Sequence, residues 1–369
     1  MRTLVISDLH LGARGERALL QDPAARRRLC GALAEVDRLV LLGDVIEFRQ
    51  GPVRDALAAA APVLTEVGEA LGAGREVVVV AGNHDHCLVD GWLSRRAAAG
   101  PPEPLGLESE VDWWGGEPLA AVAEMLGSGG ARVRSSYPGM WLREDVWATH
   151  GHYLDRHTTV PLFERLGVGA MARALGRPIE EAHCAEDYEA VLAPLYALIH
   201  EVAQSSGVGT PSPGASARAW QVLGRGFRKG TLRQRGLVLG AAGAVALLNR
   251  AGIGPIRTDL SAAELRSAAL RAFGEVLGTL AVDCRYAVFG HTHRAGTLPA
   301  DDTREWWAPT GARMINSGCW VHEPIFLGPR PEQSPYRAGF AVLVQDGTRP
   351  PELVNLLEET LRPAQPAPA

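Results

Sequence analysis

Five times along this chain a short run of branched or apolar residues stops at a cluster of Asp, Asn or His. Thr3–Ile6 runs into Ser7-Asp8-Leu9-His10, Leu39–Leu42 into Gly43-Asp44, and Glu76–Ala81 into Gly82-Asn83-His84-Asp85. Val146–Thr149 runs into His150-Gly151-His152, and Arg285–Phe289 into Gly290-His291-Thr292-His293. Short apolar runs bounded by turn residues read as buried strands. Glycine lets the backbone turn sharply where such a strand ends, and ligands of open α/β sheets bind at that edge. One Gly-Asp is an ordinary loop feature. The same few ligand types at five strand ends are a constraint on the whole fold, since all five must reach one place. Asp8 and His10 are two apart, as are His291 and His293, and in extended backbone such pairs point the same way.

The segments between these runs complete an α/β pattern. Asp22–Val36 and Pro52–Leu71 have helical composition, so the first three strands form βαβ units. Further strands are expected at Ala131–Ser136, Met140–Leu142, Ala312–Asn316 and Ala338–Val344, with a Pro/Gly-rich loop over Pro101–Pro118. From Tyr153 to Arg285 the character changes to helical stretches at Thr159–Ala174, Ile179–Ala203 and Ser261–Ala281, the last opened by a Ser261/Glu264 capping box. Ser205–Ala217 has the composition of a flexible linker. We expect residues 1–152 and 286–369 to form one discontinuous catalytic domain and residues 153–285 a helical insertion or lid, followed by a disordered tail.

A net charge of −5 over 369 residues gives no general basic surface, so a nucleic-acid partner is not expected. Five scattered cysteines without a CxxC pair suggest neither a disulfide framework nor a zinc knuckle. The first strand begins at once, which leads to the expectation of a cytoplasmic protein. One region departs from the average. Val202–Thr258 has no acidic residue but holds Arg218, Arg225, Arg228, Lys229, Arg233, Arg235, Arg250 and Arg257 around the apolar run Leu237–Leu248. Its 12 residues are too short to span a bilayer. The two readings are a buried lid helix and a helix lying on an anionic membrane surface through residues 218–257.

Collected, the strand-end residues Asp8, His10, Asp44, Asn83, His150, His291 and His293 are seven oxygen and nitrogen ligands with no thiolate. They suffice for two metals sharing a carboxylate, and the ligand types suit Mn, Fe or Zn better than Mg or Ca. In order and spacing the clusters resemble the calcineurin-like metallophosphoesterase superfamily, whose motifs run D-x-H, G-D-x-x-D/E/H, G-N-H-D/E, H and G-H-x-H. Here they read Asp8-Leu-His10, Gly43-Asp44-Val-Ile-Glu47, Gly82-Asn83-His84-Asp85, His150 and Gly290-His291-Thr-His293.

The resemblance implies an αββα sandwich of two mixed sheets and two divalent metal ions, Mn foremost. Asp8, His10, Asp44 and His293 would hold one ion, and Asp44, Asn83, His150 and His291 the other. It also implies that His84, in its charged form, gives a proton to the leaving oxygen while Asp85 orients its ring. Asn316 and Gly318, in a loop resembling the N-x-G loop after the last motif, would line the substrate site. Glu47, His86 and His152 are candidates for a supporting shell. SDLHLG with GDVIEF is most similar to the branch containing UDP-2,3-diacylglucosamine hydrolases, which implies a phosphodiester or pyrophosphate substrate, lipid-linked and met at the membrane. The alternatives are a soluble nucleotide phosphodiesterase or phosphomonoesterase and, with every ligand intact, least of all a non-catalytic scaffold.

Overall fold

A computed structural model describes residues 1–15, 18–100, 103–160, 163–177, 182–206, 247–256, 262–328, 330–358 and 361. Most of the basic, apolar stretch 218–257, the linker Ser205–Ala217 apart from its first two residues, Ser261 of the capping box and the C-terminal tail lie outside them.

Eleven strands form two sheets among the described residues. The larger has the order β11 (Glu352–Asn355), β10 (Phe340–Gln345), β1 (Arg2–Ile6), β2 (Arg38–Leu42), β3 (Glu76–Val80), β5 (Arg132–Tyr137) and β4 (Ser109–Glu110). β1, β2, β3 and β5 run parallel, with Val5 beside Val40 and Leu41 beside Val79. The smaller sheet is β6 (Gly139–Arg143), β7 (Val146–Thr149), β8 (Tyr286–Phe289) and β9 (Arg313–Asn316), in which β7, β8 and β9 are parallel. Parallel strands end at one edge. The strand ends after Ile6, Leu42, Val80, Thr149 and Phe289 are therefore brought to common edges of two sheets.

Side-chain alternation decides how the sheets face. Val5, Val40, Leu42, Val78 and Val80 of the larger sheet meet Met140, Val146, Ala148, Val288 and Ile315 of the smaller, forming a closed apolar layer between them. The opposite residues, Leu4, Ile6, Leu39, Leu41, Val77 and Val79, lie under helices α1 (Pro23–Leu33), α2 (Val53–Leu71), α3 (Cys87–Ala98) and α4 (Pro118–Leu126). Helix α1 starts where Asp22 accepts from Ala24 N and Pro23 supplies a preset φ. The outer face of the smaller sheet is covered by α7 (Ala262–Thr279), where Phe273 stacks on Phe289 of β8 at 4.0 Å between ring centroids. The layers are those of an αββα sandwich. β4, β11, α3 and α4 were not expected from the sequence. β4 is two residues long, and α3 begins within the polar GNHDH cluster.

From the region 153–285, α5 (Phe163–Ala174), α6 (Ala185–Ser206) and α7 are described and helical. α6 is fastened to the start of α2 by Gln204, which accepts from Val53 N at 2.9 Å and donates to Gly51 O at 3.0 Å. None of the described helices is long and apolar enough to cross a membrane.

Because Phe289 joins α7 to the strand that delivers the GHTH turn, Phe289→Ala should destabilise the protein by about 3–5 kcal/mol. Chemical denaturation of the two proteins checks this, with a loss below about 1 kcal/mol contradicting it.

Candidate metal centre

The five turns converge, and the backbone is bent to make them do so. Six non-glycine residues have positive φ among those described, and five are Asp8 (56°), His10 (44°), Asp44 (52°), His291 (64°) and His293 (58°). Each such conformation is costly for a residue bearing Cβ and persists only where the surroundings enforce it. The Asp8/His10 and His291/His293 pairs are thus brought together by left-handed turns and not by the extended backbone expected. Gly43 makes room: a Cβ there would lie 2.4 Å from the ring of His150. At Gly82 a Cβ would collide with the carboxylate of Asp44.

Asp8, His10 and His293 form one group of donor atoms, and Asp44, His150 and His291 another. In the first, His293 Nε2 lies 3.3 Å from Asp8 Oδ1 and 3.2 Å from His10 Nε2. In the second, Asn83 Oδ1 lies 3.1 Å from both His150 Nε2 and His291 Nδ1. Asp44 Oδ2 reaches both, 3.7 Å from His10 Nε2 and 3.3 Å from His150 Nε2. All seven expected ligands are therefore in one place, and all but His291 are buried.

The donor set fits cations. Asp8 Oδ1 is buried without a hydrogen-bond partner among the described residues. The amide oxygen of Asn83 faces two imidazole nitrogens and Asp44 Oδ2, whereas the swapped amide would hydrogen-bond to all three. Such a gathering of lone pairs is favourable around a positive ion and unfavourable without one.

Burial raises the Asp44 carboxyl, but His150, His84 and His10 beside it reverse this and hold it well below the usual range. His150 is depressed by burial yet pushed up to about 9 by Asp44 and Asp8. Asp8 is likewise raised by burial and brought below its ordinary value chiefly by His293.

Two expectations are corrected here. Asp85 does not orient His84. Its carboxylate accepts from the backbone N–H of Gly82 at 2.6 Å, Val45 at 2.7 Å and Asp44 at 3.2 Å, tying the second motif turn to the third. Burial and Asp44 push it up to about 6. The His84 ring is held by Glu47, with Nδ1 2.8 Å from Oε2, and Glu47 also stands 3.2 Å from His10 Nδ1. Burial lowers His84, while Glu47 and Asp44 act in the opposite direction.

The Asn316 amide, expected to line the substrate site, is engaged within the protein instead. The Asn316 amide donates to Gly290 O at 2.8 Å and Thr292 Oγ1 at 3.0 Å and accepts from Gly318 N, so it braces the GHTH turn from behind.

Three residues without an expected role join the site. Asp155 Oδ1 is 3.0 Å from His291 Nε2, which leaves Nδ1 toward Asn83. This is the carboxylate–imidazole pairing that fixes a ligand's tautomer and orientation. Its place five residues after His150, in the same strand-end segment, was the available signal. Glu189 and Tyr196 come from α6. Glu189 accepts from Tyr137 at 2.5 Å and Tyr153 at 2.6 Å and meets His86 Nε2 at 3.1 Å. His86, which also meets Asp90, is disfavoured as a cation by burial but pushed up to about 10 by these carboxylates. His152 meets Tyr137 OH at 3.2 Å. Nothing in the sequence near Glu189 marks it.

The sequence profile of the calcineurin-like phosphoesterases matches residues 1–183. That span contains four of the five motif turns, and the fifth, with His291 and His293, joins them in space. The chain belongs to this family. This calcineurin-like phosphoesterase is accordingly a metal-dependent hydrolase of phosphate esters, with a His/Asp/Asn centre suited to two divalent ions. No curated protein sequence matches the chain significantly. Solved structures similar to it include a dimetal phosphatase from Danio rerio, 13% identical, covering 96% of this chain and 99% of that one with a TM-score of 0.33. Another is the cold-active protein-tyrosine phosphatase of a psychrophilic Shewanella, 13% identical, covering 94% and 75% with a TM-score of 0.26. Superpositions as loose as these carry no argument about function.

Glu47→Gln should lower hydrolysis about 10- to 100-fold, because it weakens the hold on two rings at once. Steady-state kinetics on a soluble phosphate ester checks this, and an unchanged rate would remove Glu47 from the site.

Proposed function

We propose that this phosphoesterase cleaves a phosphodiester or pyrophosphate bond with water, using two divalent cations held by Asp8, His10, Asp44 and His293 and by Asp44, Asn83, His150 and His291. The observation that carries the proposal is Asp44. A single buried carboxylate oxygen stands 3.7 Å from a nitrogen of one donor group and 3.3 Å from a nitrogen of the other. Bound there, two cations would lower the pKa of a shared water and neutralise charge on the phosphoryl oxygens. The ligand types favour Mn, with Fe or Zn as alternatives.

The chain's own residues supply the rest. His84 hands a proton to the leaving oxygen through Nε2, since Nδ1 is occupied by Glu47. A phosphate ester beside this ring adds negative charge and so favours the charged imidazolium. Asp85 and Asn316 act behind the site, keeping the motif turns in register. The diester or anhydride assignment is supported by the SDLHLG and GDVIEF motifs; turnover of p-nitrophenyl phosphate above that of bis-p-nitrophenyl phosphate would replace it with a phosphomonoesterase.

Asp44→Ala should lose both cations and reduce hydrolysis to background. His84→Ala should keep both and lose about 10²- to 10⁴-fold on alkyl esters, much less on nitrophenyl esters. Metal analysis beside kinetics separates the two, and an Asp44→Ala protein with full metal content would overturn the assignment.

We extend the proposal to a lipid-linked substrate met at an anionic membrane surface, on the composition of residues 202–258 alone. Wild-type protein should sediment with anionic liposomes. Replacing Arg225, Arg228, Lys229, Arg233 and Arg235 by Gln should weaken this by about 100-fold or more and spare hydrolysis of a small soluble ester. Absence of wild-type sedimentation at low salt would leave a lid as the role of this stretch.

A further inference from the structure

The candidate histidine ligands do not all turn the same nitrogen to the centre. His10 Nε2 and His293 Nε2 face each other at 3.2 Å, and His293 Nε2 lies 3.3 Å from Asp8 Oδ1. His150 Nε2 faces Asn83 Oδ1 at 3.1 Å and Asp44 Oδ2 at 3.3 Å, while its Nδ1 donates to Leu42 O at 3.0 Å. His291 is reversed. Its Nδ1 faces Asn83 Oδ1 at 3.1 Å, and its Nε2 meets Asp155 Oδ1 at 3.0 Å.

A neutral imidazole carries one N–H, and a carboxylate can only accept. Asp155 therefore keeps the proton on Nε2 and leaves the lone pair of His291 on Nδ1. Asp155 is 2% exposed, and its Oδ2 is buried without a partner among the described residues, so the ring of His291 is what this side chain serves there. The turn that carries it, His152–Arg156, is fastened by other groups. Tyr153 donates to Glu189 of α6 at 2.6 Å, and Arg156 donates to the backbone oxygen of Asp187. Neither bond passes through Asp155, so the carboxylate is held by the turn without being needed to hold it.

We propose that Asp155 is the positioning residue for the second cation, fixing Nδ1 of His291 as the nitrogen that faces it, and that it has no part in holding the first. This rests on the dinuclear reading above. Glu47, 3.2 Å from His10 Nδ1, stands behind a ligand of the first donor group, so the two ions have separate supports.

The test is Asp155→Ala, titrated with Mn. Wild-type protein should take up two ions and give the electron paramagnetic resonance signal of a coupled pair. In the variant, affinity for one ion should fall about 10- to 100-fold and that for the other should stay within about twofold. At Mn concentrations that fill the tighter site alone, the signal should be that of an isolated ion and coincide with the signal of His291→Ala, not of His10→Ala. The metal-free thermal midpoint should stay at its wild-type value, and hydrolysis of a soluble ester should recover as Mn is raised. Asp155→Asn, which keeps the volume and an acceptor oxygen, should weaken the same ion by a smaller factor. Two ions held as tightly as in wild type, equal weakening of both, or a signal matching His10→Ala would overturn the proposal. Wild-type protein that takes up fewer than two ions would instead overturn the reading of the site on which this one stands.

Discussion

A carboxylate that is 1% exposed keeps its charge in a protein interior only if positive groups face it. Asp44 is such a group, and much of the surrounding structure answers its requirement. It lies at the end of a central strand, where the turn after the neighbouring β1 brings His10 to it and the turn after β7 of the smaller sheet brings His150. His84 N donates to its second oxygen at 2.8 Å, so the third motif also closes on it. Imidazoles can meet this charge as cations or, when neutral, through cations held between them. The second arrangement also explains why an amide oxygen and an unpartnered Asp8 oxygen point into the same space.

This convergence has a cost in the backbone. Five candidate ligand residues in the left-handed region store roughly 1–3 kcal/mol each. What holds them is visible. Asp85 gathers backbone N–H groups from two motif turns, Asn316 braces the fifth, and Ser7, bonded to both Asp8 and Ser317, links the first to the loop after β9. Asp85, expected to orient His84, and Asn316, expected to line the substrate site, are thus structural means by which candidate ligands two apart are turned toward one point.

That division explains what was legible in the sequence. The strands were readable because buried parallel strands are continuous apolar runs, and β7 (Val146–Thr149) falls on the expected residues. The ligands were readable because each sits at the end of such a run. The partner of His84 was not. Asp85 is adjacent in sequence, but adjacent side chains on a tight turn diverge, and Glu47, 37 residues earlier, reaches the ring through the fold. Asp155, Glu189 and Tyr196 depend still more on tertiary contact. His86 and Glu189 are 103 residues apart, and no periodicity or motif spacing reports such a pair. β4 and β11 are an edge pairing of two residues and a hairpin partner, too short or too polar to show as apolar runs.

The contacts of α6 bear on what the insertion does. A lid that opens must leave no buried charge unpaired behind it, since stranding one partner of a buried pair costs several kcal/mol. Glu189 is shared by His86 and Tyr137 and by Tyr153, just after the strand-end turn of His150, and the α6 terminus is clasped through Gln204. Lifting α6 would separate the Glu189 carboxylate from a histidine favoured as a cation and leave two phenols without an acceptor. The described part of α6 is therefore a fixed wall of the site. A side chain carried on the described part of α6, such as Tyr196, is held in place by these same contacts.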